Sequence, residues 1–150
     1  PPSAPPKPPV YAQKYAVSSN PEAAKAFEQG KQLWEDGAQS RAVRLFEEAV
    51  AKDPTLALAH LYLAVLTFSK DPMEAQGHFG TAFQFRHSLT AQEDALLHAA
   101  EAYVKPAPDL DEWETRLLAA TRRFPSDHVL FFFLGRAQEA TQDVVNARGC

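Results

Sequence analysis

GKQLWEDGAQSRAVRLFEEAVAKDP, residues 30–54, holds the end of one helix, a tight turn, a second amphipathic helix and a stop. Gly37 suits the left-handed conformation that ends a helix, because it has no Cβ to clash there. Ala42, Phe46, Ala49 and Val50 then recur at spacings of four, three and one, which places them on one helical face. Asp53-Pro54 closes that helix, since the residue before a proline is pushed out of the helical region.

Upstream, Asn20-Pro21-Glu22 reads as a helix start: an N-cap, a proline at the first position and an acid in the first turn. The helix it opens runs to about Asp36, with Phe27, Leu33 and Trp34 as its large apolar residues. Downstream the pattern recurs. A third helix runs from Thr55 to Phe68, and Asp71-Pro72 starts a fourth, which Ser88 to Thr90 breaks. Ala64 follows Gly30 by 34 residues, and Ala75, Phe79 and Ala82 follow Ala42, Phe46 and Ala49 by 33. Three matches at one offset define an internal repeat. Thr90 to Glu93 is a capping box that opens a fifth helix, expected to reach about Val104. Asp109 or Asp111 caps a sixth, ending at Pro125, in which Trp113 replaces the small alanine and should hold the paired helices further apart. Asp127 caps a seventh, and an eighth is expected to begin near Asp143.

This pattern resembles a tetratricopeptide repeat, in which an aromatic residue, Leu-Gly, Tyr, an Ala with an aromatic four later, and Pro recur in order. Gly30, Leu33, Ala42, Phe46 and Pro54 match, with Ala26 where the first aromatic would stand; Phe131, Leu134 and Gly135 match the opening again. The resemblance implies an all-α right-handed solenoid of helical hairpins, three complete and a fourth incomplete. The repeats would span 20–54, 55–88, 89–125 and 126–150, behind a linker of residues 1–19. At least three such hairpins are needed to bury a continuous core. The resemblance extends loosely to bacterial repeat regions, which points to a soluble protein of bacterial cytoplasm or periplasm and leaves the compartment open.

Residues 1–9, PPSAPPKPP, are six prolines with little else, an extended polyproline segment that reads as a spacer or as a ligand for an aromatic groove. The Pro-Pro opening reads as a processed or excised start, and the lack of a polar capping helix predicts a natural chain continuing past Cys150. A formal charge of −4 gives no drive toward nucleic acid. No apolar run approaches the roughly 20 residues that span a bilayer, so no membrane insertion is expected. The single cysteine excludes an internal disulfide.

Catalytic motifs are missing. His60, His78, His87, His98 and His128 include no pair at i, i+4 and no HExxH motif. His98 and Glu101 could share a face, but a metal centre needs more such pairs. There is no nucleophile elbow and no glycine-rich phosphate loop. The expectation is therefore no enzyme, no metal and no cofactor, but a scaffold that binds a protein or peptide. A histidine-based metal enzyme and a self-associating structural module are the alternatives.

In the repeat family the first helix of each hairpin lines a concave groove. The resemblance assigns to it Phe27, Lys31, Trp34 and Glu35 from the first hairpin and Leu61, Val65 and Phe68 from the second. Leu97 and Glu101 follow from the third, and Phe132, Arg136 and Glu139 from the fourth. Leu61, Val65 and Phe132 read equally as core between hairpins, whereas Trp34 and Phe68 are expected to be partly exposed anchors. Phe27, Lys31 and Val65 stand where some family members clamp a peptide carboxylate with Lys and Asn, so that clamp is not reproduced. An apolar peptide or amphipathic helix fits better. A homo-oligomer built through Phe131, Phe133 and Leu134 is the further partner expectation.

Overall fold

Prolines, a glycine and capping side chains cut this chain into helices. The computed structural model describes residues 17–149; the Pro-rich stretch, Tyr11, Tyr15 and Cys150 lie outside the described residues. Among the described residues there are seven α-helices, one 3-10 turn (Arg86–Ser88) and no strand. They are α1 (Pro21–Glu35), α2 (Gln39–Lys52), α3 (Ala57–Thr67), α4 (Pro72–Gln84), α5 (Ala91–Ala100), α6 (Leu110–Arg123) and α7 (His128–Arg148). The all-helical expectation holds. The chain divides at Pro54 and Thr55 into two compact units, α1–α2 and α3–α7.

In the first unit the Asn20 side chain accepts hydrogen bonds from the amides of Glu22 and Ala23, satisfying donors that the helix start leaves open. At the other end Gly37 adopts φ +84°, and Ala38 N–H donates to the Leu33 carbonyl while Gly37 N–H donates to that of Trp34. That is the Schellman arrangement, and it turns the chain directly into α2. Phe46, Ala42 and Ala49 are fully buried, and the Phe46 ring lies 5.5 Å from that of Phe27 on α1. The open end of the hairpin is tied by Ser18 to Asp53, by Asn20 Nδ2 to the Lys52 carbonyl and by Lys52 to Glu22 at 3.0 Å. The hydrogen bond that Lys52 donates to Glu22, and the charge of that carboxylate, raise the Lys52 pKa.

In the second unit α3 packs on α4, α5 on α6, α6 on α7, and α3 also touches α5. Neighbouring pairs plus a contact between alternate helices are consistent with a helical repeat. Helix α3 is buried from Ala57 to Ala64 on every side, as its apolar sequence, broken only by His60, requires. Asp71, Thr90, Asp109 and Asp127 cap α4, α5, α6 and α7, and Thr90 with Glu93 forms the reciprocal capping box. Arg116 on α6 pairs with Glu112 at 2.9 Å and Glu101 at 3.5 Å, and donates to the His98 carbonyl, which pins α6 to the end of α5.

Four boundaries differ from the sequence reading. Helix α3 starts at Ala57 rather than Thr55. Helix α4 ends at Gln84, before a 3-10 turn, rather than at Ser88. Helix α5 ends at Ala100 instead of Val104, where the chain tightens into three-residue turns, Ala102 N–H donating to the Ala99 carbonyl and Tyr103 N–H to that of Ala100. No eighth helix starts near Asp143. Helix α7 runs unbroken through it to Arg148, because nothing between Arg136 and Arg148 is a proline or glycine that could end it.

Candidate partner-binding cleft

A chain of aromatic rings runs through the second unit. Phe68, the C-cap of α3, lies 4.9 Å from Tyr103 in the turn after α5. Tyr103 stacks on Trp113 of α6 at 5.4 Å and 16°, and Trp113 meets Phe133 of α7 at 6.4 Å. The early end of α5 makes this possible, since it frees Tyr103 to leave helical geometry and cover the indole. Trp113 and Phe133 are buried, whereas Tyr103 is half-buried, so one ring of the chain reaches solvent.

Above these rings lies a cleft of about 220 Å³. Val65 and Leu66 of α3 form one wall, and Tyr103 and Trp113 the floor. Phe132, Arg136, Glu139 and Asp143 of α7 form the opposite wall at spacings of four, three and four, one face of that helix. Phe132 is 39% exposed, enough apolar ring to meet a ligand. Burial pushes the Tyr103 hydroxyl pKa up, and the Arg136 charge opposes that rise, so the guanidinium acts on the phenol across the cleft. The site therefore offers an apolar floor, one cation beside a phenol, and two carboxylates further along α7.

Of the residues assigned to a groove from sequence, Val65, Phe132, Arg136 and Glu139 come together here. Trp34 and Phe68, expected to be partly exposed, are instead buried. Trp34 lies on the same face of α1 as Ala23, Phe27 and Gly30, which is the buried face. Phe68 turns into a cluster with Ala64, Ala75 and Val104, beside Phe79 and Tyr103. Phe27, Leu61 and Leu97 are also core. Glu101 is engaged by Arg116. Lys31 is half-buried and Glu35 exposed, both on the first unit. Sequence reasoning missed Tyr103, Trp113 and Asp143. The signal for Trp113 was its intrusion at a position where the repeat asks for a small residue.

The histidines give one pair. Nδ1 of His60 on α3 lies 2.9 Å from Nδ1 of His78 on α4, so one ring donates and the other accepts. His78 Nε2 is 3.7 Å from Glu74. Among the described residues no group of three or more His, Cys, Asp or Glu is placed to hold a metal ion. None of the described helices is long and apolar enough to cross a membrane. Comparison of the chain with protein-family models, curated proteins and solved structures finds no match.

Proposed function

We propose that this chain is a non-catalytic protein-interaction module of the tetratricopeptide type. In this reading its hairpins stack as a right-handed solenoid, three complete and a fourth represented by α7 alone. The module takes a short segment of another protein in the cleft of the second unit. The observation that carries the reading is the convergence of Val65, Tyr103, Phe132 and Arg136, from three separate elements, on one hollow of mixed polar and apolar lining with a single cation at its wall. An apolar side chain can fill the hollow over the Tyr103–Trp113 stack, while Arg136 donates to a backbone carbonyl or carboxylate of the same segment. The repeat at 33 residues and the contact between α3 and α5 support the solenoid.

The test is a selection of random displayed peptides on the wild-type chain, followed by calorimetric titration of the recovered sequences. Phe132→Ala removes an exposed anchor and is expected to weaken binding by about 2 kcal/mol, roughly thirtyfold. Arg136→Ala is expected to cost a further factor for the lost charge-assisted hydrogen bond. Peptides that bind both variants as tightly as wild type would place the binding surface elsewhere.

A further inference from the structure

Two histidines meet midway along the α3–α4 hairpin. Nδ1 of His60 lies 2.9 Å from Nδ1 of His78, with the ring centroids 5.1 Å apart and the planes tilted by 39°. His60 is buried, and the His78 side chain is only 16% exposed, so little water reaches the contact. The first hairpin is built without such a pair. Ala26 stands 34 residues before His60 and Leu45 stands 33 before His78, the offsets of the repeat. Titratable rings therefore occupy the second hairpin where the first carries apolar side chains.

A neutral imidazole has one N–H and one bare nitrogen. The Nδ1–Nδ1 contact holds only while one of the two nitrogens is bare. One added proton is accommodated on His78: its Nδ1–H donates to His60, and its Nε2–H faces Glu74 at 3.7 Å. A second proton sets two N–H groups against each other on two cations, and neither can accept. The neighbouring helices bring little to relieve this. Helix α5 buries Leu96, Leu97, Ala99 and Ala100, while Glu93 closes the capping box and Asp94 and His98 are exposed. Helix α7 meets α3 at Tyr62 and at Val65, and Arg136, Glu139 and Asp143 line the cleft at Val65, more than one turn of α3 beyond His60. One carboxylate beside the pair, Glu74, can offset one imidazolium but not two.

We infer that the His60–His78 contact is an acid-sensitive latch between α3 and α4, closed with one proton between the two Nδ1 atoms and opened by a second. The unfolded chain takes a proton on each imidazole below about pH 6.5, whereas the closed pair takes only one. Stability therefore falls as the pH falls, by up to about tenfold in the folding equilibrium constant per pH unit. Ala75 and Phe79 of α4 pack with Phe68 and Tyr103, so an opened latch also loosens the support under the cleft floor. The latch does not depend on the proposed peptide binding.

Urea titrations at pH 7.5 and 5.5 test it, a window above the range in which carboxylates ordinarily titrate. The comparison is between the wild type and His60→Ala combined with His78→Leu, which gives the second hairpin the residues of the first. The wild type is expected to lose about tenfold more of its folding constant on acidification than the double variant. His87, His98 and His128 are exposed and common to both, so their contribution cancels. Nitrogen-15 resonances of the rings give a second reading that needs no variant. At pH 7.5 one Nδ1 of the pair should be protonated and the other bare. Equal acid sensitivity of the wild type and the double variant would overturn the inference. So would protonation of both Nδ1 atoms at pH 5.5 with amide-exchange protection of α3 and α4 unchanged.

Discussion

A methyl group placed on Gly30 would sit 2.9 Å from Cε1 and 3.0 Å from Cδ1 of Phe46. The ring has little room to yield, because Phe46 is fully buried, and the methyl would also stand only 3.2 Å from Leu45 Cβ. Hence α1 and α2 approach as closely as they do only because position 30 has no side chain. Gly30→Ala is expected to destabilise the first unit by about 1–3 kcal/mol through overpacking, despite the better helix propensity of alanine.

The opposite outcome is expected in α4. Gly80 is an exposed mid-helix glycine with nothing within 4 Å of its Cβ position. Gly80→Ala should stabilise the chain by about 0.5–1 kcal/mol, since it removes backbone freedom from the unfolded state and meets no obstacle. Urea titrations of the two variants therefore move in opposite directions.

Core and cleft aromatics should separate in the same measurement. Phe46→Ala and Phe68→Ala each empty a buried site and are expected to cost about 3–5 kcal/mol. Phe132→Ala removes a ring that is 39% exposed, and should cost less than about half as much. If Phe132→Ala unfolds the second unit as badly as Phe68→Ala, Phe132 is a core residue and not a binding wall.

Alkaline pH tests Tyr103. Burial raises its pKa above the ordinary tyrosine value of 10.0, with Arg136 opposing. The folded chain thus keeps this proton where the unfolded chain has lost it. Its contribution to stability is intact below about pH 10 and is lost as the pH rises through the folded value. Tyr103→Phe should flatten the alkaline limb of the stability curve. A peptide seated over the ring should delay tyrosinate formation further.

The N-cap gives a local test. Asn20→Ala removes the acceptor for two amides and the donor to the Lys52 carbonyl. A loss of about 1–2 kcal/mol is expected, readable as a lower melting temperature.

Capping chemistry made most helix starts legible in the sequence: Asn20, Asp71, Thr90 and Asp127 each stand where they were read, immediately before a helix. The 33-residue offset also pointed to Phe46 and Ala42 as buried residues. Helix ends without a decisive breaker were less legible, and α7 shows why. The repeat asks for a turn near Asp143, but neither proline nor glycine stands there to break the helix, and it continues. The cleft was half legible. Its α7 wall was found because the resemblance assigned Phe132, Arg136 and Glu139 to the groove face of the first helix of a fourth hairpin. Its floor was not, because Tyr103 meets Trp113 from a turn past the end of α5, where helical spacing no longer says which way a ring points. Trp34 and Phe68 were misplaced because a position near a helix end says nothing about which way a ring turns. The His60–His78 contact joins two helices, and a search for histidines at i, i+4 within one helix could not find it.

The peptide-binding claim is tested most directly by isotope-labelled nuclear magnetic resonance of the chain during titration with a peptide selected on it. The amide and methyl signals of Val65, Leu66, Tyr103, Phe132, Arg136 and Asp143 should shift together, while those of Phe131 and Val145, also on α7 but outside the cleft, stay in place. Shifts confined to any other surface, with Val65, Tyr103 and Phe132 unmoved at saturation, would contradict it.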